Sequence, residues 1–259
     1  MAAVNTALTD TAYEGWYAQL ELGFQKKAAK TVLSKSRRQG PLAVQRAFYP
    51  EDDVCHVYLL HPPGGVVGGD QLDIRIDLDS RSHALLTTPG ATKFYLSAGE
   101  TAIQHQVLNV ADNAILEWLP QENILFPGAI VKSKLRLNLE GSARAAIWEI
   151  QCLGRPVINE FFNSGSLATH WQIYRDNKPL LIERLRVDKH TLKILSQLNG
   201  FPVTGTFIIS NADNQSLEAL RQHYYSSDTG TLALTLIEDL LIVRYLGSST
   251  EQARRWFSD

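Results

Sequence analysis

The sequence predicts one mainly β domain over residues 1–259, an antiparallel sandwich, barrel or wound sheet that carries two short helices near its end. Three observations point there. Apolar and polar residues alternate with period two in many short runs, Gly/Pro/Asn turn signals separate those runs, and helical periodicity is confined to the last fifth of the chain. With 259 residues, 44% of them hydrophobic, the chain can bury a large core, roughly 70 to 75% of its unfolded surface at this size.

The elements follow in order. Trp16, Ala18, Leu20 and Leu22 alternate as one face of a first strand. The basic run 35–38 reads as a solvated strand edge, and Gly40-Pro41 and Tyr49-Pro50 are turns. Leu72-Asp73-Ile74-Arg75-Ile76-Asp77-Leu78-Asp79 alternates strictly, as a half-buried strand does. Leu135, Leu137 and Leu139 mark another strand, and Leu181, Glu183, Leu185 and Val187 share one face of a further one. Turns fall at Pro89-Gly90, Gly141 and Asn199-Gly200. Leu217, Leu220 and Tyr224 give an amphipathic helix over 214–225. Ser248-Ser249-Thr250-Glu251 reads as a capping box, with Ser248 as N-cap, opening a second helix through Trp256. No internal repeat is visible.

Composition excludes several functions. A net charge of -2 offers no basic field for nucleic acid or an anionic membrane. Residues 1–15 hold no secretory h-region and no window approaches eighteen apolar residues, so the chain is expected in the cytoplasm. Two separated cysteines, Cys55 and Cys152, form neither a disulfide framework nor a thiolate zinc site. Cys55, His56 and His61 look metal-like, but His56 lies on the opposite strand face from the other two, which are about 20 Å apart if extended. The expectation is a buried thiol with surface or loop histidines.

The densest signal is residues 61–70, His61-Pro62-Pro63-Gly64-Gly65-Val66-Val67-Gly68-Gly69-Asp70. Four glycines in ten positions cost conformational entropy, so the backbone there needs positive φ or a close neighbour. It is no P-loop, because Asp70-Gln71 stands where Lys-Ser/Thr is required, and a strand follows where a dinucleotide loop needs a helix. Two further stretches stand out. Thr87 to Tyr95 gathers Thr88, Thr92 and Lys93 around Pro89-Gly90; its hydroxyls read first as turn chemistry. Glu117-Trp118-Leu119-Pro120-Gln121-Glu122 places two carboxylates across a corner, with nothing to set one pKa against the other.

These blocks together resemble the urease accessory protein UreD family, called UreH in some organisms. Phe126-Pro127-Gly128-Ala129 follows them in the expected order, and the segments 40–50, Cys152-Leu153-Gly154-Arg155 and Val243-Arg244-Tyr245-Leu246-Gly247 extend the likeness over nearly the whole chain. The resemblance implies stacked antiparallel or mixed sheets wound in a helical, β-solenoid-like manner, with two short C-terminal helices. It implies a non-catalytic scaffold that binds apo-urease subunits and recruits a UreF-like protein and a UreG-like GTPase for nickel insertion. GTP would then be used by the UreG-like partner, and nickel would be handled transiently, through an internal passage, with no tightly bound cofactor. Many members continue past the final helix into a further arm, whereas this sequence stops at Asp259.

Within that role, His61, Gly64, Gly65, Gly68, Gly69, Asp70, Thr88, Lys93, Glu117 and Glu122 are expected to shape a polar path or partner surface, with transient nickel contacts at Asp70 and Glu122 and no stable metal site. Two other classes compete: a β-fold hydrolase, resting on unpaired carboxylates and histidines, and a sugar- or peptide-binding module, resting on Trp16, Trp118, Trp148, Trp171 and Trp256.

Overall fold

The computed structural model describes residues 15–194, 196–222 and 230–258. The chain opens with an antiparallel hairpin, β1 (Tyr17–Lys27) and β2 (Lys30–Gln39), and then pairs β3 (Ala43–Val44) with β4 (Cys55–Leu60). From there it winds between two sheets. β5 (Gln71–Leu78) lies in the first sheet and β6 (His83–Thr87) in the second; β7 (Thr92–Phe94) forms a side ladder; β8 (Ala102–Val110) returns to the first sheet and β9 (Ile115–Trp118) to the second. The next coil repeats the path with β10 (Asn123–Leu125) in the side ladder, β11 (Ile130–Leu139) in the first sheet and β12 (Arg144–Arg155) in the second. A 3-10 turn at Pro156–Ile158 and β13 (Glu160–Phe161) lead to the hairpin β14 (Ser166–Arg175) and β15 (Lys178–Asp188) of the first sheet. β16 (Val203–Ser210), α1 (Asn214–Gln222), β17 (Gly230–Ile237), β18 (Leu240–Gly247) and α2 (Thr250–Ser258) complete the second.

The first sheet runs β15-β14-β11-β8-β5-β1-β2. Its middle is parallel: Tyr17 sits beside Gln71, Gln71 beside Ile103, Ala102 beside Val131 and Ile130 beside Ser166. These strands are successive coils of a β-solenoid-like stack, a structural repeat that the sequence hides because no two coils have the same length. Corners between the sheets are alike. Ser82 donates to the Asp79 carbonyl, Ala114 to Ala111 and Ala143 to Glu140, at 3.1, 3.0 and 2.9 Å. Adjacent corners are tied by Ala111 N–H to Leu78 O and Glu140 N–H to Val110 O, both 3.0 Å. Only small side chains fit inside them, and Ser82, Ala114 and Ala143 are all buried there.

The alternation expected from sequence fills the space between the sheets. Leu20, Leu22, Phe24, Ile76, Leu108 and Leu137 from the first meet Leu86, Leu116 and Ile147 from the second. Trp16, however, is 60% exposed, so the buried face of β1 starts at Ala18. A second core lies outside the second sheet, where Phe257 of α2 packs 5.5 Å from Phe207, and Gly205 leaves room for its ring.

Both helices stand where periodicity placed them, with corrections at their ends. Asp213 caps α1 by accepting from the Ser216 N–H at 2.8 Å; Leu217 is buried while Leu220 is exposed, and Tyr224 and Tyr225 lie outside the described residues. The cap of α2 is one residue later than expected: Ser249 Oγ accepts from the Gln252 N–H at 3.2 Å. Ser248 offers an equally good hydroxyl, so the pattern alone does not choose between the two. His56, expected at the surface, is instead buried and lies 5.4 Å from the ring of Phe48. Cys55 and Cys152 are both free and buried. No described helix is long and apolar enough to cross a membrane.

Candidate functional site

The glycine-rich loop, the Thr-Pro-Gly turn and the Trp-Leu-Pro corner are stacked on one another. Val66 donates to the Lys93 carbonyl at 2.7 Å and accepts from the Tyr95 N–H at 2.9 Å, so the loop pairs with the strand of the next motif. Thr92 N–H then donates to the Glu122 carbonyl at 3.0 Å, and Thr88 Oγ accepts from the Gln121 N–H at 3.0 Å. Glycine is required by closeness at two positions. A Cβ on Gly65 would run into the Tyr95 ring and the Lys93 carbonyl, and one on Gly68 into Ser97 and the Glu100 carbonyl; Gly64 has open space. Gly69 supplies a left-handed turn, φ +91°, into β5.

The expected site residues do not all meet. His61, Gly64, Gly65, Thr88 and Lys93 line the mouth of a cavity of about 420 Å³ between the sheets. Burial pushes the His61 pKa down, against the pull of Asp70. Asp70 itself is buried and accepts backbone N–H groups from Trp16 at 2.8 Å and Val67 at 2.9 Å. Gly68, Gly69 and Asp70 stand outside the cavity lining. Glu117 lies on the outer face of the second sheet, where its carboxylate is 2.7 Å from His83 Nε2. Glu122 reaches α2, 3.3 Å from Arg254. Among the described residues no three His, Cys, Asp or Glu side chains converge as a metal site.

The floor of the cavity is what the motif reading missed. Gln104, Gln106, Asn123 and Glu149 lie there, on strands whose neighbouring inward positions are apolar. Glu149 is 7% exposed. Its carboxylate accepts from Ser133 Oγ at 3.0 Å, Trp171 Nε1 at 3.0 Å and Asn123 Nδ2 at 3.4 Å. Burial drives its pKa up, opposed mainly by the Trp171 and Ser133 hydrogen bonds. Gln104 Oε1 has no hydrogen-bond partner, and Gln151 leans toward Glu149 but leaves both amide ends without a bond of normal geometry. Each such buried orphan costs about 1 to 3 kcal/mol, a cost a purely structural core avoids. The signal was present in the sequence as polar residues at inward parity: Gln104 and Gln106 between Ala102 and Leu108, and Glu149 and Gln151 between Ile147 and Leu153.

Glu149 also faces a second space. A small cavity of about 30 Å³ lies beyond it, bordered by Gln151, Thr169, Trp171 and Glu183. Glu183, Leu185 and residues 204–206 border in turn a third cavity of about 430 Å³ that reaches Arg244 and Ser196. Glu183 is gripped by both guanidinium nitrogens of Arg244, one at 2.7 Å. Three spaces are thus strung together by two carboxylates. Trp118, Trp148 and Trp171 are buried, so most tryptophans serve packing rather than an open ligand face.

A family model described as UreD urease accessory protein matches residues 17–259. The urease accessory protein UreD of Alcanivorax borkumensis is 49% identical over 246 residues, covering 93% of this chain and 84% of the relative. That of Escherichia coli is 44% identical over 256 residues (97% and 92%), and that of Klebsiella aerogenes 42% over 247 residues (95% and 90%). With the match spanning every coil of the stack, the chain belongs to the UreD family of urease accessory proteins.

Proposed function

We propose that this chain acts in urease maturation as an assembly factor that binds apo-urease subunits, gathers a UreF-like protein and a UreG-like GTPase, and offers nickel an internal route toward the urease active site. As a member of an accessory-factor family it is not an enzyme; GTP hydrolysis falls to the UreG-like partner, and the assembly works in the cytoplasm.

The observation that carries the nickel route is Glu149, a buried carboxylate bordering one cavity on each side. Nickel accepts carboxylate and amide oxygen, and a single carboxylate among neutral amides is too few ligands to trap it. Because burial disfavours the bare carboxylate, a cation bound at Glu149 competes with a proton, which weakens that stop. Glu183 lies on the far side, already neutralised by Arg244, so a cation there competes with a guanidinium. The mouth carries Lys93 and His61, a polar rim that Asp70 and Glu122 border without facing the cavity.

Co-expression of the Glu149→Gln and Glu149→Ala chains with urease and the partner proteins tests this. Elemental analysis should find nickel per urease lowered at least about tenfold, with the complex still co-purifying, since the buried carboxylate touches no outer surface. Normal nickel content in both variants overturns the internal route. Failure of the wild-type chain to co-purify with apo-urease overturns the assembly role.

A further inference from the structure

The outer face of the first sheet separates its charges. On β11, Lys132 and Lys134 point outward; on β15, Arg184 and Arg186 do the same. The register sets them in two rows across β14: Lys132, Ala168 and Arg186 in one, Lys134, His170 and Arg184 in the next. From strand geometry the four cations mark the corners of a rectangle about 7 Å by 10 Å. Ala168 leaves its centre recessed, in a hollow of about 520 Å³ floored by Ala168 and His170. Several cations elsewhere on the surface hold carboxylates, as Lys26 holds Asp53 and Arg75 holds Asp77. None of these four ion-pairs with a described carboxylate, and the shielded His170 Nε2 has no hydrogen-bond partner. Four unpaired like charges around one hollow repel one another and are tolerated best where an anion relieves them.

We propose that this hollow across β11, β14 and β15 docks an acidic segment of a protein partner. The occupant is set by charge and by size. A chain of net charge -2 has no general cationic field, so the concentration here is local. Two strands away on β5 the only cation the same face offers is Arg75, already held by Asp77 beside it, so a long polyanion laid across the sheet would gain no further free cation on that strand. An extended peptide with carboxylates at alternate positions presents them about 7 Å apart, the short side of the rectangle.

A fluorescein-labelled Glu-Thr-Glu-Thr-Glu-Thr peptide, followed by anisotropy against the full chain at physiological ionic strength, tests the site. The double variant Lys134→Glu/Arg184→Glu should weaken binding at least about tenfold, while Arg37→Glu/Arg38→Glu, with the same net-charge change on the β2 edge, should weaken it less than about twofold. The charge-keeping swap Lys134→Arg/Arg184→Lys should bind within about twofold of wild type. Equal weakening by the two reversals, loss of binding in the charge-keeping swap, or tighter binding of oligothymidylate than of the peptide by the wild-type chain overturns the proposal.

Discussion

Two buried carboxylates, Asp70 and Glu149, are equally hidden from solvent and do opposite work. Asp70 ends the glycine-rich loop and is held by backbone N–H groups of Trp16 and Val67, which cannot turn away without unfolding the strand entrance. Glu149 is held by the side chains of Ser133, Asn123 and Trp171, from three other strands, and borders open space on both sides. A carboxylate satisfied by backbone is committed to architecture. One satisfied by side chains can loosen part of that grip for a passing cation, because the Ser133 hydroxyl and the Asn123 amide can rotate while the Trp171 N–H stays in place.

The contrast is broken most directly by exchanging readouts. Glu149→Gln should lower nickel per urease at least about tenfold yet shift unfolding little, as the neutral isostere keeps a carbonyl acceptor at the site and removes the desolvation of a buried charge. Asp70→Ala should do the reverse, destabilising by about 2 to 4 kcal/mol in urea titration because two N–H groups lose a charged acceptor. A larger stability loss at Glu149 than at Asp70 would dissolve the distinction.

Proton linkage sharpens it. The native pKa of Glu149 lies above its ordinary value of 4.5, so the folded chain keeps that proton when the unfolded chain has released it. The associated stability is complete below 4.5 and is lost as pH rises through the native value. Wild-type stability should therefore fall with rising pH in that window relative to Glu149→Gln, as urea titrations at stepped pH would reveal; parallel curves would mean the acid is no more burdened than a surface glutamate.

Smaller effects divide the loop itself. Gly65→Ala, which forces the Tyr95 ring and Lys93 backbone aside, should cost about 1 to 3 kcal/mol, whereas Gly64→Ala should stay within about 0.5 kcal/mol in the same assay. The least change is expected for Glu122→Ala, about 0.5 to 1 kcal/mol from loosening the Arg254 contact of α2.

Much of the frame was legible because β alternation reports burial directly: Leu72 to Leu78 and Leu135 to Leu139 lie as their parity requires. The coil repeat was not legible, since corners at Asp79, Ala111 and Glu140 share a hydrogen-bond pattern but no residue type. Capping was legible to within one residue. At the site, the motifs revealed the rim, where glycine and threonine make backbone contacts, but not the floor, where Gln104, Ser133 and Glu149 come from coils far apart in sequence. Parity marks such residues as inward, and only the winding brings them together.

The parallel run of the first sheet is closed on one side by the β1–β2 hairpin and on the other by β14–β15. A stack of parallel coils with bare ends is a template for unlimited growth, each molecule adding to the last as in a fibril. Here the terminal strands are antiparallel and carry Lys35, Arg37 and Arg38 at one end and Pro179, Arg184 and Arg186 at the other. Charge and a missing N–H donor make these borders poor seeds, so the same winding that creates an interior is kept from polymerising.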